Sequence, residues 1–289
     1  MERRSAGHRL AGFFHGRSRL QISSLLAGPV GWLVVGYLGS LAVLLIAAFW
    51  TVDPLSGELV HGLSFENFET LFNEPVYREI VKRTVLIAAL VTVTDAVLAF
   101  PIAFYMAKLA SRRGKAILVV AVLLPLWSSY LVKVYAWRTM LSAGGVVNWA
   151  LAPLGLTGPG FGSTAVWLVM SYLWLPYMIL PIYAGLERIP NSLISASEDL
   201  GASPFTTFRR VILPLSFPAV VAGSIFTFAL TLGDYITPRL VSNDQFIGNV
   251  IFNNFSNNLP LASALALVPI VVMIAYLLVA RKLGAFEHI

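Results

Sequence analysis

Two carboxylates, Asp95 and Asp234, lie within or at the end of long apolar runs of this chain. An ionised side chain at the centre of a bilayer costs on the order of 2.5–3.5 kcal/mol, so an acid at that depth is a functional candidate. Carboxylates pair with ammonium groups, and aromatic faces attract cations. Both features predict a substrate path suited to a small organic cation. The aromatic residues best placed to line it are Trp127, Tyr130, Trp174, Tyr177 and Tyr235.

Each of these residues also has a simpler interpretation. Asp234 is equally well explained by a position among the lipid headgroups. Asp95 is as consistent with a packing hydrogen bond to a neighbouring span as with a substrate role. The aromatic residues fit an interfacial belt or ordinary helix packing, which is the more common use of such side chains in membrane proteins.

The composition excludes most catalytic chemistry. The chain has no cysteine, and its four histidines (8, 15, 61 and 288) lie outside the apolar runs, so neither a thiol nucleophile nor a metal-ligand cluster is predicted. Gly114-Lys115 has Leu109 where an ATP-binding loop requires its first glycine. No residue is therefore predicted to be catalytic or to bind a metal, the chain is expected not to be an enzyme, and no cofactor is expected on it. The basic residues that give the net charge of +6 flank the apolar runs and do not form a patch. This distribution argues against nucleic acid as a partner.

The apolar runs predict an all-α polytopic membrane protein that is embedded in the lipid bilayer. Residues of the hydrophobic types make up 57% of the chain and charged residues only 12%. A span needs roughly 20 apolar residues. Six stretches meet this requirement, and a bend is expected in the third at Pro125, before Lys133. Their approximate bounds are 28–50, 84–107, 116–133, 164–186, 217–236 and 262–280.

Loop charges predict that both termini are cytoplasmic. A basic N-terminal arm, residues 1–27, precedes the membrane domain at 28–289. The acidic loop 51–80 and the uncharged loop 143–163 are then external, whereas the short basic loop 111–115 is internal.

A polar segment, Glu187–Pro218, separates the fourth and fifth spans and carries signals for two short helices. Asn191 is a candidate N-cap for the first helix, and Gly201 is suited to end it in the left-handed conformation. Ser203-Pro204 is a second N-cap followed by proline at the first helical position. Pro214 is expected to end the second helix.

This segment resembles the cytoplasmic EAA loop of binding-protein-dependent ABC importer permeases. Gly201 and Ala202, and then Leu213 and Pro214, match the second half of that motif. Ser195, Ala196 and Ser197 stand where the family has Glu-Ala-Ala, so the glutamate is missing. Glu198 and Asp199 lie one turn further on and can supply acidic character. The resemblance implies that these residues couple the chain to an ATPase.

Three further stretches, 64–77, 124–141 and 233–255, resemble the first permease of spermidine/putrescine-type importers. The resemblance extends over about residues 60–280. It implies a type I ABC importer permease fold in the bacterial plasma (inner) membrane. The implied partners are a second homologous permease, two ATP-binding cassette ATPases that bind ATP and magnesium, and an extracytoplasmic solute-binding protein. The implied solute is a polyamine or a similar small organic molecule.

A secondary carrier for a small organic cation is the alternative. Such carriers show internal repeats or broken helices around charges at the membrane midplane. No repeat is evident in this sequence, and a carrier has no use for an EAA-like loop.

Overall fold

The computed structural model describes residues 18–282, which form a helical bundle with one short two-stranded ribbon. The first elements are α1 (Ser18–Trp32), α2 (Gly39–Ala47), β1 (Thr51–Val52), β2 (Leu59–Val60), α3 (Glu66–Asn73) and α4 (Pro75–Phe104). There follow α5 (Arg112–Trp127), α6 (Tyr130–Leu141), α7 (Val146–Leu151) and α8 (Ser163–Arg188). The last are α9 (Asn191–Asp199), α10 (Pro204–Thr207), α11 (Leu213–Gly233), α12 (Ile236–Val241), α13 (Ile247–Phe255) and α14 (Leu259–Lys282). A 3₁₀ turn follows α7 at Ala152–Leu154, and π-helical turns lie at Leu33–Leu38, Tyr105–Leu109 and Phe208–Ile212.

Within the described residues, five continuous helical segments are long and apolar enough to cross a membrane. The pair α5 and α6 supplies a sixth crossing if it is one broken span. This agrees with the predicted six-span, all-α architecture. The five continuous segments are Leu25–Ala47, Pro75–Leu109, Ser163–Arg188, Pro204–Gly233 and Leu259–Lys282.

Several predicted boundaries differ from the structure; the fifth helical segment, for example, begins at Pro204 and not near residue 217. The second span begins at Pro75 and not near residue 84, because proline opens the helix and its first turns carry charged residues that extend it beyond the apolar run. Helix α1 begins at Ser18, inside the predicted basic arm 1–27. Residues 1–17 lie outside the described part, so the division at residue 27 stays a prediction.

The predicted bend of the third span is a complete break. Helices α5 and α6 meet at 88° around Ser128 and Ser129, three residues after Pro125. The Pro125 carbonyl, left free at the end of α5, accepts hydrogen bonds from Ser128 Oγ (2.8 Å) and Lys133 Nζ (2.9 Å). Side chains thus replace the missing helical bonds.

The prediction that Pro214 ends the second short helix is wrong. Helical structure continues from Pro204 to Gly233, and Pro214 is one of the first residues of α11. The π-helical turn Phe208–Ile212 comes directly before it, with Leu213 N–H bonded to Phe208 O five residues back. This shift in hydrogen-bond register relaxes the turn that the proline ring would otherwise clash with.

The centre of the bundle is formed by α4, α8 and α11. Gly185 and Gly223 let these helices approach closely: a Cβ added at Gly185 would lie 2.3 Å from Ala219 Cβ, and one at Gly223 2.7 Å from Met178 Sδ. Such small residues at helix contacts are the usual device for close packing in membranes.

We expect Gly185→Ala to destabilise the protein, because the added methyl overlaps Ala219 and forces α8 and α11 apart at a cost of about 1–3 kcal/mol. Gly233→Ala is the control on α11, since nothing lies within 4 Å of the added Cβ there. Thermal unfolding in detergent should show a lower midpoint for Gly185→Ala only. Equal midpoints for both variants would contradict the close approach.

Candidate substrate path and coupling segment

Three of the predicted aromatic residues lie together at the start of α6 and on α8. The rings of Tyr130 and Trp174 are stacked, with centroids 6.0 Å apart and planes at 11°. Trp174 also makes an edge contact with Tyr177, again at 6.0 Å. All three side chains are partly buried. Trp174 Nε1 is buried without a hydrogen-bond acceptor among the described residues, so its N–H group is able to donate a hydrogen bond to a ligand.

Asp234 adjoins this cluster and is held firmly. Its Oδ2 accepts hydrogen bonds from the Tyr130 hydroxyl (2.5 Å) and the Thr237 hydroxyl (2.6 Å). Its Oδ1 accepts from the backbone N–H groups of Ile236 (2.8 Å) and Thr237 (3.2 Å), which caps the start of α12. The carboxylate therefore has a structural use and also presents negative charge beside the aromatic rings. Thr237 was not singled out by the sequence, because only the fold brings it to Tyr130.

Tyr235, the residue after Asp234, contacts α13. Its ring stacks on Phe252 at 4.6 Å, and its carbonyl accepts a hydrogen bond from Asn249 Nδ2 (2.8 Å). The buried Asn249 Oδ1 has no partner in the described part of the chain. Asn249 is a second polar residue that the sequence reasoning missed, since nothing in its local pattern marks it.

Trp127 is separate from these residues. It ends α5, and 86% of its surface is exposed. The structure therefore does not bring it to the Tyr130 cluster, and an interfacial position explains it equally well.

Asp95 is fully buried in α4, and neither carboxyl oxygen has a hydrogen-bond partner among the described residues. Its depth follows from its neighbours on α4. Thr94 accepts a hydrogen bond from Trp167 Nε1 of α8 (3.0 Å), while Ala99 shares a buried cluster with Met178. Asp95 thus lies in the part of α4 that packs against α8. A buried acid without a partner is costly in such surroundings, so Asp95 stays a functional candidate.

At one end of the bundle, Asp244 connects the loop between α12 and α13 to α4 and α8. It lies 3.6 Å from Arg83 of α4 and accepts a hydrogen bond from Ser163 Oγ at the start of α8 (2.6 Å). The Ser163 hydrogen bond and the nearby Arg83 charge hold the pKa of Asp244 below its usual value. The carboxylate is therefore charged at neutral pH and fixes this loop beside the path residues.

The segment between α8 and α11 contains the two predicted short helices. Gly201 has φ +79°, and the first helix ends in a Schellman motif: Ala202 N–H bonds to Ser197 O (3.1 Å) and Gly201 N–H to Glu198 O (2.8 Å). Ser203 caps the second helix by accepting from Thr206 N–H. Asn191, however, is the first helical residue and not the N-cap, which is Pro190. The Asn191 side chain instead accepts from Lys108 Nζ (3.3 Å).

The outward face of α9 is available for contact. Ser195, Ala196, Glu198 and Asp199 are exposed, and Leu200 is 89% exposed. With Leu193 and Ala196, which are also exposed, Leu200 forms an apolar patch beside acidic residues, and such a patch is typical of an interaction surface.

The inward side of the segment is packed against the bundle. Ser197 Oγ and Thr207 Oγ1 are 2.9 Å apart and join the two short helices. The ring of Phe208 meets Phe100 of α4 edge-on at 5.5 Å. Leu213 and Pro214 are part of α11 itself, so the segment leads into a central helix without a flexible joint.

Residues 81–285 match the family model described as the binding-protein-dependent transport system inner membrane component. This chain belongs to that family. It is thus a permease subunit of an ABC importer, located in the inner membrane as a multi-pass protein. The predictions of a transport subunit, and not an enzyme, and of this location are confirmed.

Several relatives extend over most of the permease. It is 44% identical over 297 residues to the inner membrane ABC transporter permease protein YdcU of Escherichia coli (strain K12), covering 96% of this chain and 95% of the relative. It is 31% identical to the spermidine/putrescine transport system permease protein PotB of Haemophilus influenzae (82% and 84% covered). The PotB protein of Escherichia coli (strain K12) is 30% identical (86% and 93% covered).

Solved structures share the fold of the permease. A chain of a bacterial ABC transporter involved in the import of the acidic polysaccharide alginate superposes with a TM-score of 0.73 at 20% identity, covering 95% of this chain and 98% of that one. A chain of the MetNI methionine ABC transporter in an inward-facing conformation gives a TM-score of 0.55 at 16% identity, with 72% and 94% covered. Identities this low support the fold alone.

For the short helix pair we expect Gly201→Val to abolish transport while the permease remains inserted in the membrane. A β-branched residue is strained at φ +79°, so the turn between α9 and α10 would open. Gly201→Asn is the matched control because asparagine tolerates the left-handed conformation, and no atom lies within 4 Å of an added Cβ. Uptake into cells, normalised to membrane-inserted protein, measures the difference. Normal uptake by Gly201→Val would contradict the requirement for this turn.

Proposed function

We propose that this permease forms the translocation path for a small organic amine such as putrescine or spermidine. The observation that carries the proposal is the cluster of Tyr130, Trp174 and Tyr177 beside the Asp234 carboxylate. Aromatic faces and a fixed negative charge are the groups that bind alkylammonium ions. Two relatives named as spermidine/putrescine permeases support this substrate class.

Three basic residues near the path are held in place by contacts with neutral groups, which fix the side chains and leave their positive charges unchanged. Lys133 Nζ is bonded to the Pro125 carbonyl. The guanidinium of Arg138 lies over the ring of Phe161 at 5.9 Å, and that of Arg239 over Phe252 at 5.2 Å.

Asp95 contributes at a second level of the same path. It is buried without a hydrogen-bond partner among the described residues, so a rearrangement of α4 against α8 would expose an acid to a passing cation. Tyr235, next to Asp234 in the chain, completes the proposed path, whereas Trp127 lies apart from it.

The orientation follows from loop charge. The acidic 51–80 face is external, and both termini and the segment 187–218 are cytoplasmic. The partners are a second homologous permease, two cytoplasmic ATPases and an external solute-binding protein. ATP and magnesium bind to the ATPases, and α9, through Ser195 to Asp199, docks on one of them. The match of the segment to the EAA motif supports this coupling role.

A secondary carrier is not favoured. The family is one of binding-protein-dependent transport components, and the helix pair at 187–218 gives such a permease a surface that a carrier does not need. Uptake that stops when ATP is depleted while the membrane potential is maintained separates the two mechanisms.

The solute assignment predicts that Asp234→Asn raises the putrescine concentration needed for half-maximal uptake by about tenfold. Removing one close charge partner costs roughly 1–3 kcal/mol of binding in a partly desolvated site. The asparagine oxygen can still accept from the Ile236 and Thr237 N–H groups, so the cap of α12 is retained. Radiolabelled putrescine uptake is measured in cells, with Glu69→Gln on α3 as an exposed acidic control.

Unlabelled spermidine in excess should also compete with putrescine uptake in the unmodified permease. Unchanged half-saturation in Asp234→Asn, or no competition by spermidine, would reject a polyamine as the solute. Membership of the ABC importer family does not depend on either result.

A further inference from the structure

Two lysines tie together the ends of three helices next to α9. Lys108 lies in the π-helical turn that ends α4, and its Nζ donates to the Ile189 carbonyl (2.6 Å) and to Asn191 Oδ1 (3.3 Å). Ile189 is the residue just after α8, and Asn191 is the first residue of α9. Lys108 therefore connects the end of α4 directly to the junction between α8 and α9.

Lys115 makes the second connection. It lies near the start of α5, and its Nζ donates to the Ala107 carbonyl at the end of α4 (2.8 Å). It also lies 3.1 Å from Glu187 Oε1 at the end of α8. The four residues Lys108, Lys115, Glu187 and Asn191, with the two carbonyls, form what we call the lysine clamp.

The two carbonyls explain why lysines occupy these positions. Ala107 and Ile189 lie at helix ends, where the last carbonyls lack partners within the helix. An ammonium group satisfies such a carbonyl and interacts favourably with the negative end of the helix dipole. Each lysine, however, caps a helix other than its own, so the caps become cross-links between helices.

We propose that the lysine clamp makes Lys108 and Lys115 positioning residues for energy coupling, so that a displacement of α9 moves α4 and α5 with it. Other contacts also join the segment to the bundle: Ile194 of α9 packs against the buried cluster that contains Met178, and Phe208 packs on Phe100 of α4. The lysine clamp acts at the first residue of α9. It connects this residue to α4, which carries Asp95, and to α5, the first half of the broken span. The inference rests on the proposed role of 187–218 as the ATPase-docking segment.

The first test uses the complete transporter in proteoliposomes, with ATP hydrolysis and putrescine uptake measured together. Lys108→Met keeps the length of the side chain but removes its donors. We expect uptake per ATP hydrolysed to fall about tenfold, the size of effect typical for loss of a charge-assisted hydrogen bond, while hydrolysis continues. Lys108→Arg retains donors and should restore most of the ratio. Arg113→Met, at an exposed position that has no hydrogen bond among the described residues, is the control.

The pattern of outcomes separates coupling from folding. A Lys108→Met transporter with the normal ratio of uptake to hydrolysis would overturn the proposal, as would a proportional loss of both activities. If Lys108→Met does not assemble, Lys115→Gln is measured in the same way and judged by the same ratio.

A second test does not depend on the solute. Because the chain has no cysteine, spin labels can be attached at Arg112→Cys on α5 and at Ser192→Cys on α9, both exposed and outside the proposed docking residues. With the lysine clamp intact, the distance between the labels should be narrow and equal with and without ATP. In Lys108→Met it should broaden or shift on adding ATP. An ATP-induced shift in the unmodified transporter would overturn the proposal. Absence of putrescine uptake in that transporter would reject only the solute.

Discussion

Inside a bilayer the backbone has no water to bond with, so every helix end and break at that depth needs its own partner. The described part of this permease meets that constraint with a few side chains. Lys133 and Ser128 serve the Pro125 carbonyl, Asp234 serves the start of α12, and Lys108 serves the end of α8. Two of these residues also have a proposed role in transport: Asp234 in the path and Lys108 in coupling.

The path and the coupling segment are linked through α4 and α8. Helix α8 packs closely against α11 at Gly185 and is hydrogen-bonded to α4 through Trp167 and Thr94. Both α4 and α8 end at the lysine clamp, and α8 also carries Trp174 and Tyr177 of the aromatic cluster. A packed interface of this kind moves as a unit and does not deform gradually. A displacement of α9 would therefore be passed on to α4, which carries Asp95, and to α8, which carries Trp174, without a flexible element in between.

The sequence was informative where local chemistry decides the structure. Long apolar runs predicted the spans, Gly201 predicted the left-handed turn, and Ser203-Pro204 predicted a helix start. The prediction for Pro214 was wrong because a π-helical turn lets the helix continue through the proline. The prediction for Asn191 was wrong because its side chain accepts a hydrogen bond from the distant Lys108 and does not cap α9. The pairing of Tyr130 with Asp234 and Thr237 joins residues more than one hundred positions apart. No local pattern indicates such contacts, and the same holds for the lysine clamp.

The central claim is that α9 is the surface through which an ATPase drives this permease. The most direct measurement places a photo-crosslinking residue at Leu200, which is 89% exposed, and a control at Leu55 on the β1–β2 hairpin, which is 99% exposed. After illumination of the assembled transporter in membranes, the crosslinked products are identified by mass spectrometry. The account predicts a product with the ATPase from Leu200 and none from Leu55. An ATPase product from Leu55, or none from Leu200 in an assembled transporter, would contradict it.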